Sequence, residues 1–248
     1  MHDTWTPLSA GDRTLVLEFG QSIDREIVDQ VVALDARIHA AMSGGKLHGI
    51  VETIPTFRSL ALVFDPLRVL PDELIEELRA LDTAAVDTSG GEHSHWQIPV
   101  HYGGQSGPDL ESVAELTGLS AERVIELHQS TRFKVYMLGF LPGFAFLGDT
   151  PEELHLPRRS EPRVRVPAGS VAIANQLTGV YPWDSPGGWH ILGHCPIPLF
   201  DGKQDPPALF KTGDIVSFQA IDLDEMQALK NDMDKQQFQR SSLRQSTS

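Results

Sequence analysis

Apolar and polar residues alternate along this chain with two distinct periods, and the order of the periods predicts the architecture. Thr14-Leu15-Val16-Leu17-Glu18-Phe19 alternates with period two, the pattern of a half-buried strand. Within Ile23 to Met42, apolar residues recur at Ile27, Val28, Val31, Leu34 and Ile38, one face of a helix that Gly44-Gly45 stops. Ile50 to Ile54 and Ser59 to Phe64 read as two strands joined by a short turn containing Pro55, hence a hairpin. Leu70 to Leu81 is a second amphipathic helix, started by Pro71 and Asp72. His95 to Val100 closes the set as a strand. Strand, helix, strand, strand, helix, strand is the split βαβ order, which predicts an N-terminal ferredoxin-like (βαββαβ) domain over residues 1–100. Asp87-Thr88-Ser89-Gly90-Gly91-Glu92 is its most polar connection, a linker or a long loop before the last strand.

The texture then changes. Two short helices follow one another between Asp109 and Gln129, with Gly118-Leu119-Ser120-Ala121-Glu122-Arg123 stopping one and capping the next. Beyond them short strands, among them Phe133 to Leu138, Ser170 to Ala174, Trp189 to Leu192 and Ile215 to Gln219, are punctuated by Gly and Pro at close intervals. Such spacing predicts a closed β-barrel, assigned to residues 101–222. Residues 223–248 are expected to begin as a helix and end as a mobile tail, because the Gln/Ser/Arg-rich end has too few apolar residues to pack. The fold class is α+β.

Composition narrows the function classes. With 248 residues and 40% hydrophobic content, the chain can bury one large core or two modest ones. A formal charge of −14 repels nucleic acid and anionic membrane surfaces, and no run of Lys or Arg offsets it. The start is not a basic stretch followed by an apolar run, and no window approaches the roughly 20 apolar residues of a membrane helix, so a cytoplasmic protein is expected. The single cysteine, Cys195, excludes an internal disulfide and a multi-cysteine metal cluster, and suits a reducing cytosol.

Five stretches carry candidate chemistry. His101-Tyr102-Gly103-Gly104-Gln105-Ser106-Gly107-Pro108-Asp109 lies between a strand and a helix: its glycines allow close approach of a ligand to backbone N–H groups, or it is a tight connection with Asp109 as N-cap. In Gly139-Phe140-Leu141-Pro142-Gly143-Phe144-Ala145-Phe146, aromatic rings between glycines suit a pocket wall or core packing. Arg163 and Arg165, within the basic cluster that also holds Arg158 and Arg159, share one side of an extended segment. They can grip a carboxylate or phosphate there, or form solvated ion pairs. Asn175 to His190 gathers Tyr181, Trp183, Asp184, Trp189 and the Pro186-Gly187-Gly188 turn in one loop region, too many costly residues for folding alone. His128, near a helix end and facing the barrel, can move protons near neutral pH or be structural. No His pair has zinc-protease spacing, so no metal site is expected. Phosphate-loop, nucleophile-elbow and dinucleotide fingerprints are absent.

Taken together, Gly139 to Phe144, Pro162-Arg163, Val166-Pro167-Ala168-Gly169-Ser170-Val171, Thr178-Gly179-Val180-Tyr181-Pro182 and Ser185-Pro186-Gly187-Gly188-Trp189 resemble one family. It is described as KipI-like, as allophanate hydrolase subunit 1-like, or as the 5-oxoprolinase B subunits. Gly11-Asp12-Arg13, Phe57-Arg58-Ser59 and Tyr102-Gly103-Gly104 with Gly107-Pro108-Asp109-Leu110 extend the resemblance toward the N-terminus. It covers residues 11 to 220. The resemblance implies a cyclophilin-like barrel and an activity shared with two partners, a related barrel chain (the C subunit) and a separate chain (the A subunit). Together they open 5-oxo-L-proline to L-glutamate with ATP, as Mg-ATP at the interface between chains. It also implies catalytic roles for His128, Arg163 and Tyr181. Substrate or nucleotide binding then falls to Tyr102, Gly103 and Gly104, to Phe140, Pro142, Gly143 and Phe144, to Pro167, Gly169, Ser170 and Gln176, and to Pro186, Gly187, Gly188 and Trp189. The family often has Gln at Leu177 and Arg at His194, so Asn175 and Gln176 are expected to substitute. A regulator of a sensor histidine kinase, or one chain of an allophanate- or urea-processing assembly, is the alternative that the same resemblance implies.

Overall fold

The structure is a computed structural model that describes residues 4–82, 93–235 and 237–245. The chain forms two compact units, Met1–Glu92 and His93–Ser248. In the first, β1 (Thr6–Ser9), β2 (Thr14–Glu18), α1 (Arg25–Ser43), β3 (Ile50–Pro55), β4 (Ser59–Phe64) and α2 (Pro71–Asp82) follow in order. The strands form an antiparallel sheet in the order β1-β2-β4-β3. Alternation decides its faces: Leu15, Leu17, Leu60 and Leu62 turn inward and are buried with Val31, Leu34 and Ile38 of α1 and Leu74 and Leu78 of α2. Asp24 caps α1 by accepting from the Glu26 N–H at 2.8 Å, and Gly45 at φ 68° carries the chain out of it.

This unit differs from the ferredoxin-like expectation in one strand. Its fourth strand is β1, where Pro7 and a single exposed Leu8 leave no alternation to read. His95 to Val100 belongs instead to the second unit: β5 (His95–Tyr102) runs parallel to β13 (Ile215–Ala220) from His95↔Ile215 to Val100↔Ala220. Local pattern sees a strand but not its partner, and this partner lies over a hundred residues away. The linker read at Asp87 to Glu92 lies outside the described residues.

After β5 come α3 (Leu110–Thr117), α4 (Ala121–Ser130), β6 (Phe133–Leu138), β7 (Ala145–Gly148), β8 (Arg163–Val166), β9 (Ser170–Ala174), β10 (Leu177–Val180), β11 (Ser185–Gly187), β12 (His190–His194), β13, α5 (Leu223–Asp234) and β14 (Arg244–Gln245). The ring β12-β9-β10-β7-β6-β13-β5 closes through the β5–β12 pairing, a seven-stranded barrel. Ile98, Val100, Phe133, Val135, Leu147, Val171, Val216 and Phe218 fill it. Gly118 at φ 70° ends α3, and the Ser120 hydroxyl accepts from the Arg123 N–H to start α4, so both helices fall where the sequence places them. They bury Leu110, Val113, Val124 and Leu127 against Leu154, Ile173 and Leu192. β8 and β11 pair with each other outside the ring and form a small flap.

The C-terminal segment begins as the expected helix, and its described residues through Gln245 pack on the barrel rather than trailing from it. Asp222 and Glu225 form a reciprocal capping box at the start of α5. Beyond α5, Phe238 and Leu243 pack on the barrel core, and β14 pairs with β5 at Arg244↔Trp96. Two well-placed apolar residues suffice when a strand edge is waiting for them. No helix among the described residues is long and apolar enough to cross a membrane.

Candidate functional site

The turn from β6 to β7 is built by its glycines and bonded to itself: the Leu141 N–H donates to Gly139 O at 2.8 Å and the Phe144 N–H to Leu141 O at 3.0 Å. Gly143 takes φ 81° against Phe200. Phe140 takes φ 67°, a left-handed conformation that costs a residue with a side chain. The turn thereby sends Phe144 inward, 1% exposed, and Phe140 outward, 64% exposed. Phe144 is the hub of an aromatic cluster, with ring centroids 4.8 Å from Phe146, 5.2 Å from Tyr181, and 5.7 Å from both Trp189 and Phe140. The exposed Trp183 locks on through its indole N–H, which donates to Pro142 O at 2.9 Å.

The turn expected at Pro186-Gly187-Gly188 is corrected: Pro186 and Gly187 pair with β8 as part of strand β11, and this strand with Gly188 after it meets the cluster from the flap. A Cβ on Gly187 would strike the Tyr181 hydroxyl, so only glycine lets the two approach. Burial raises the Tyr181 pKa, and the charges of Arg158 and Arg163 oppose that rise. Gly188 O accepts from the Arg159 N–H at 2.8 Å, which ties the end of β11 to the basic segment.

The arginines are engaged by carboxylates of the chain itself. Asp109, 3% exposed, receives both terminal nitrogens of Arg163 at 2.7 and 2.9 Å, Arg159 at 2.9 Å and the Ile191 N–H at 2.7 Å. Burial pushes its carboxyl up, but the Arg163 and Ile191 hydrogen bonds and the two guanidinium charges outweigh this and hold the pKa below the ordinary value. Also on β8, Arg165 pairs with Asp184, which accepts from the Ala168 N–H at 2.8 Å as well. Of the two readings of Arg163 and Arg165, the structure shows ion pairs: neighbours on a strand in sequence, they face two different aspartates. Asp109 does not cap α3 with its side chain either, because the arginines take it.

His128, expected to be catalytic, and Tyr102, expected to bind substrate or nucleotide, form a separate network inside the barrel. Thr178 donates to Ala172 O at 3.1 Å, so its hydroxyl oxygen accepts from His128 Nε2–H at 2.9 Å and the Tyr102 hydroxyl donates to His128 Nδ1 at 2.7 Å. His128 is fully buried, stacked on Phe218, and its pKa is pushed by burial down to about 3. Both of its nitrogens are used, which leaves no proton-transfer position open to a ligand. Gly103 at φ 70° and Gly104 at φ 54° form the turn after β5. Pro167 is exposed, while Gly169 at φ 84° and the buried Ser170 join Cys195 to Tyr181 through backbone bonds: the Cys195 N–H donates to Gly169 O, and the Tyr181 N–H to Ser170 O. Gln176 follows Asn175, at φ 54°, in the β9–β10 turn. Cys195 is 1% exposed with its thiol pushed by burial up to about 12, so it is a core residue.

The structure thus brings together Phe140, Pro142, Gly143, Phe144, Tyr181, Pro186, Gly187, Gly188 and Trp189, with Arg163 behind them, and sets His128 and Tyr102 apart. Sequence reading missed Asp109 and Arg159 as a unit; the only signal was a buried-type acid beside a basic cluster fifty residues on. Ser185 Oγ and Arg159 Nε are buried at the flap without a hydrogen-bond partner among the described residues. No group of His, Cys, Asp or Glu among the described residues could hold a metal ion.

The carboxyltransferase domain family, subdomain C and D, matches residues 5–210. A Bacillus subtilis protein named as the B subunit of 5-oxoprolinase is 38% identical over 90% of this chain and 95% of its own length. An Escherichia coli O157:H7 protein of the same name is 45% identical over 68% of this chain and 77% of its own. The crystal structure of TTHA0988 superposes with a TM-score of 0.73 at 36% identity, covering 85% of this chain, which spans only 40% of that longer protein. Sequence, fold and the shared length place the chain in the carboxyltransferase subdomain C and D family, among the 5-oxoprolinase B subunits.

Proposed function

We propose that this chain acts as the B subunit of an ATP-dependent 5-oxoprolinase, joining an A subunit and a related barrel chain, the C subunit, to open 5-oxo-L-proline to L-glutamate. The observation that carries the reading is likeness along nearly the full length of a relative of that name. The barrel is read as cyclophilin-like and the complex as cytoplasmic. The chemistry needs help that one chain does not supply alone. A five-membered lactam is a poor electrophile, and phosphorylation of its oxygen by ATP activates the ring carbon. Water adds there, the C–N bond breaks as the ring nitrogen takes a proton, and hydrolysis of the resulting acyl phosphate gives glutamate and phosphate. The developing charge then needs N–H donors and cations.

Here Arg163 and Arg165 are already paired with aspartates, and the sequence holds no phosphate loop. These residues fit one wall of a nucleotide site better than a whole one. We therefore place Mg-ATP and the lactam between this chain and the C subunit. The wall consists of the aromatic turn, the Gly187-Gly188 backbone and Tyr181, and the unpartnered Ser185 Oγ is a donor that a ligand or partner group would satisfy. Mixing the three purified chains with 5-oxoproline and ATP is expected to release glutamate only when this chain is present. Glutamate release that does not depend on it would sink the proposal.

Phe140 offers a sharper test. An exposed aromatic ring held at positive φ costs stability and is kept where the ring is used. Phe140→Gly relieves the backbone and is expected to leave the unfolding free energy unchanged or raise it by up to about 1 kcal/mol. In the three-chain assay the same variant is expected to lower kcat/KM by roughly tenfold, the loss of one apolar wall group. Full activity together with unchanged stability would remove Phe140 from the site.

A further inference from the structure

We infer that Asp109 is a positioning residue: its buried carboxylate grips Arg159 and Arg163 at once and so holds the β8–β11 flap with Gly187, at the end of β11, seated on Tyr181. The inference rests on the 5-oxoprolinase reading of the rim and goes beyond it, because it assigns a role to a side chain that touches no ligand.

Asp109 stands at the start of α3, where a carboxylate ordinarily caps the helix, yet it makes no bond to the helix's own N–H groups. Its oxygens are filled by Arg159, by both ends of the Arg163 fork and by the Ile191 N–H of β12. Three segments distant in sequence therefore meet on one carboxylate. From there the path to the rim is short. Arg163 faces Gly187 across the β8–β11 ladder, Gly187 packs on the Tyr181 hydroxyl, and Gly188 O takes the Arg159 N–H.

The flap needs such a tie. Among the described strands β8 and β11 pair only with each other, so no ladder of the barrel holds them down. Of the two aspartate ties, the Arg165–Asp184 pair is exposed at both ends, 76% and 45%, and solvent screens it. The Asp109 carboxylate is sheltered and bidentate, and removing its charge would leave two guanidinium groups over a buried seam. One carboxylate between two guanidinium groups also leaves one positive charge in excess beside Tyr181.

Asp109→Asn keeps the side-chain volume and an acceptor for the Ile191 N–H while removing the charge. By amide hydrogen exchange, the Arg163–Val166 amides and those of Ser185 and Gly187 in this variant are expected to exchange at least about tenfold faster, with β9 and β13 unchanged. In the three-chain assay, Asp109→Asn and Arg163→Lys, which keeps a charge but not the fork, are each expected to lower kcat by roughly 100-fold. The double variant is expected to be no worse than the weaker single one, since all three remove the same tie. Unchanged flap exchange, exchange that rises equally through the barrel, or losses that multiply in the double variant would each overturn the inference. A wild-type mixture that makes no glutamate would overturn the 5-oxoprolinase reading instead, and the exchange result then decides the clamp by itself.

Discussion

Gly107→Ala is expected to unfold the barrel or destabilise it by about 3 kcal/mol or more. The reason is a backbone contact that no side chain can relieve by rotating away. Gly107 packs on the Leu192 carbonyl, and an added Cβ would overlap the Leu192 carbon and oxygen. The segment cannot back off, because the Gly103 N–H donates to that same Leu192 O at 3.0 Å and the Asp109 N–H to Ile191 O at 3.1 Å. These bonds lie beside Tyr102↔Gly193, the pairing through which β5 and β12 close the ring. Moving the turn to make room would therefore open the barrel seam. Gly104, three residues earlier, is the control: it takes φ 54° with open space around its Cβ position, so Gly104→Ala carries backbone strain alone, about 1 kcal/mol. Urea denaturation of both variants checks the pair. Equal and small losses would show that the approach of Gly107 to β12 is not a tight one.

Acid is expected to destabilise the barrel through His128. The ring is neutral in the folded protein, with Nε2–H donating to Thr178 and Nδ1 accepting from Tyr102. A second ring proton would face the Tyr102 hydroxyl, which would have to give up its donor role, while Phe218 stacked on the ring and Phe133 tilted against it offer no charge partner. Burial therefore holds the pKa at about 3 against an ordinary 6.5. The unfolded chain binds the proton first. The contribution of neutral His128 is complete above the unfolded pKa and is lost as pH falls from about 6.5 toward about 3, at up to about 1.4 kcal/mol per pH unit. His128→Gln offers polar groups to both partners and cannot titrate. Its unfolding free energy between pH 6.5 and pH 4.5 is expected to fall less steeply than that of the wild type by about that slope. Parallel pH dependences in the two proteins would show that His128 titrates normally.

Local pattern determined much of this molecule. The helices, the β3–β4 hairpin and most barrel strands lie where periodicity, glycine stops and polar caps place them, because a helix or strand face must match its own repeat. The aromatic turn was legible for a related reason: rings and glycines crowded together are costly unless something packs against them, whereas Pro186-Gly187, read as a turn, is a strand because β8 lies beside it. Membership of the family followed from the same motifs, read in order.

Tertiary structure decided partnership. β5 has a strand's alternation in either sheet, and only the long-range parallel pairing with β13 assigns it to the barrel. β1 and β14 are too short to show a period and exist because an edge accepts them. At the site, Arg163 and His128 have the composition of reactive groups, yet one is bound to an aspartate from another element and the other is sealed between rings. Sequence determines which chemical groups are available; which of them remain free is set by neighbours tens of residues away, because hydrogen-bond partners and burial are properties of contact in space.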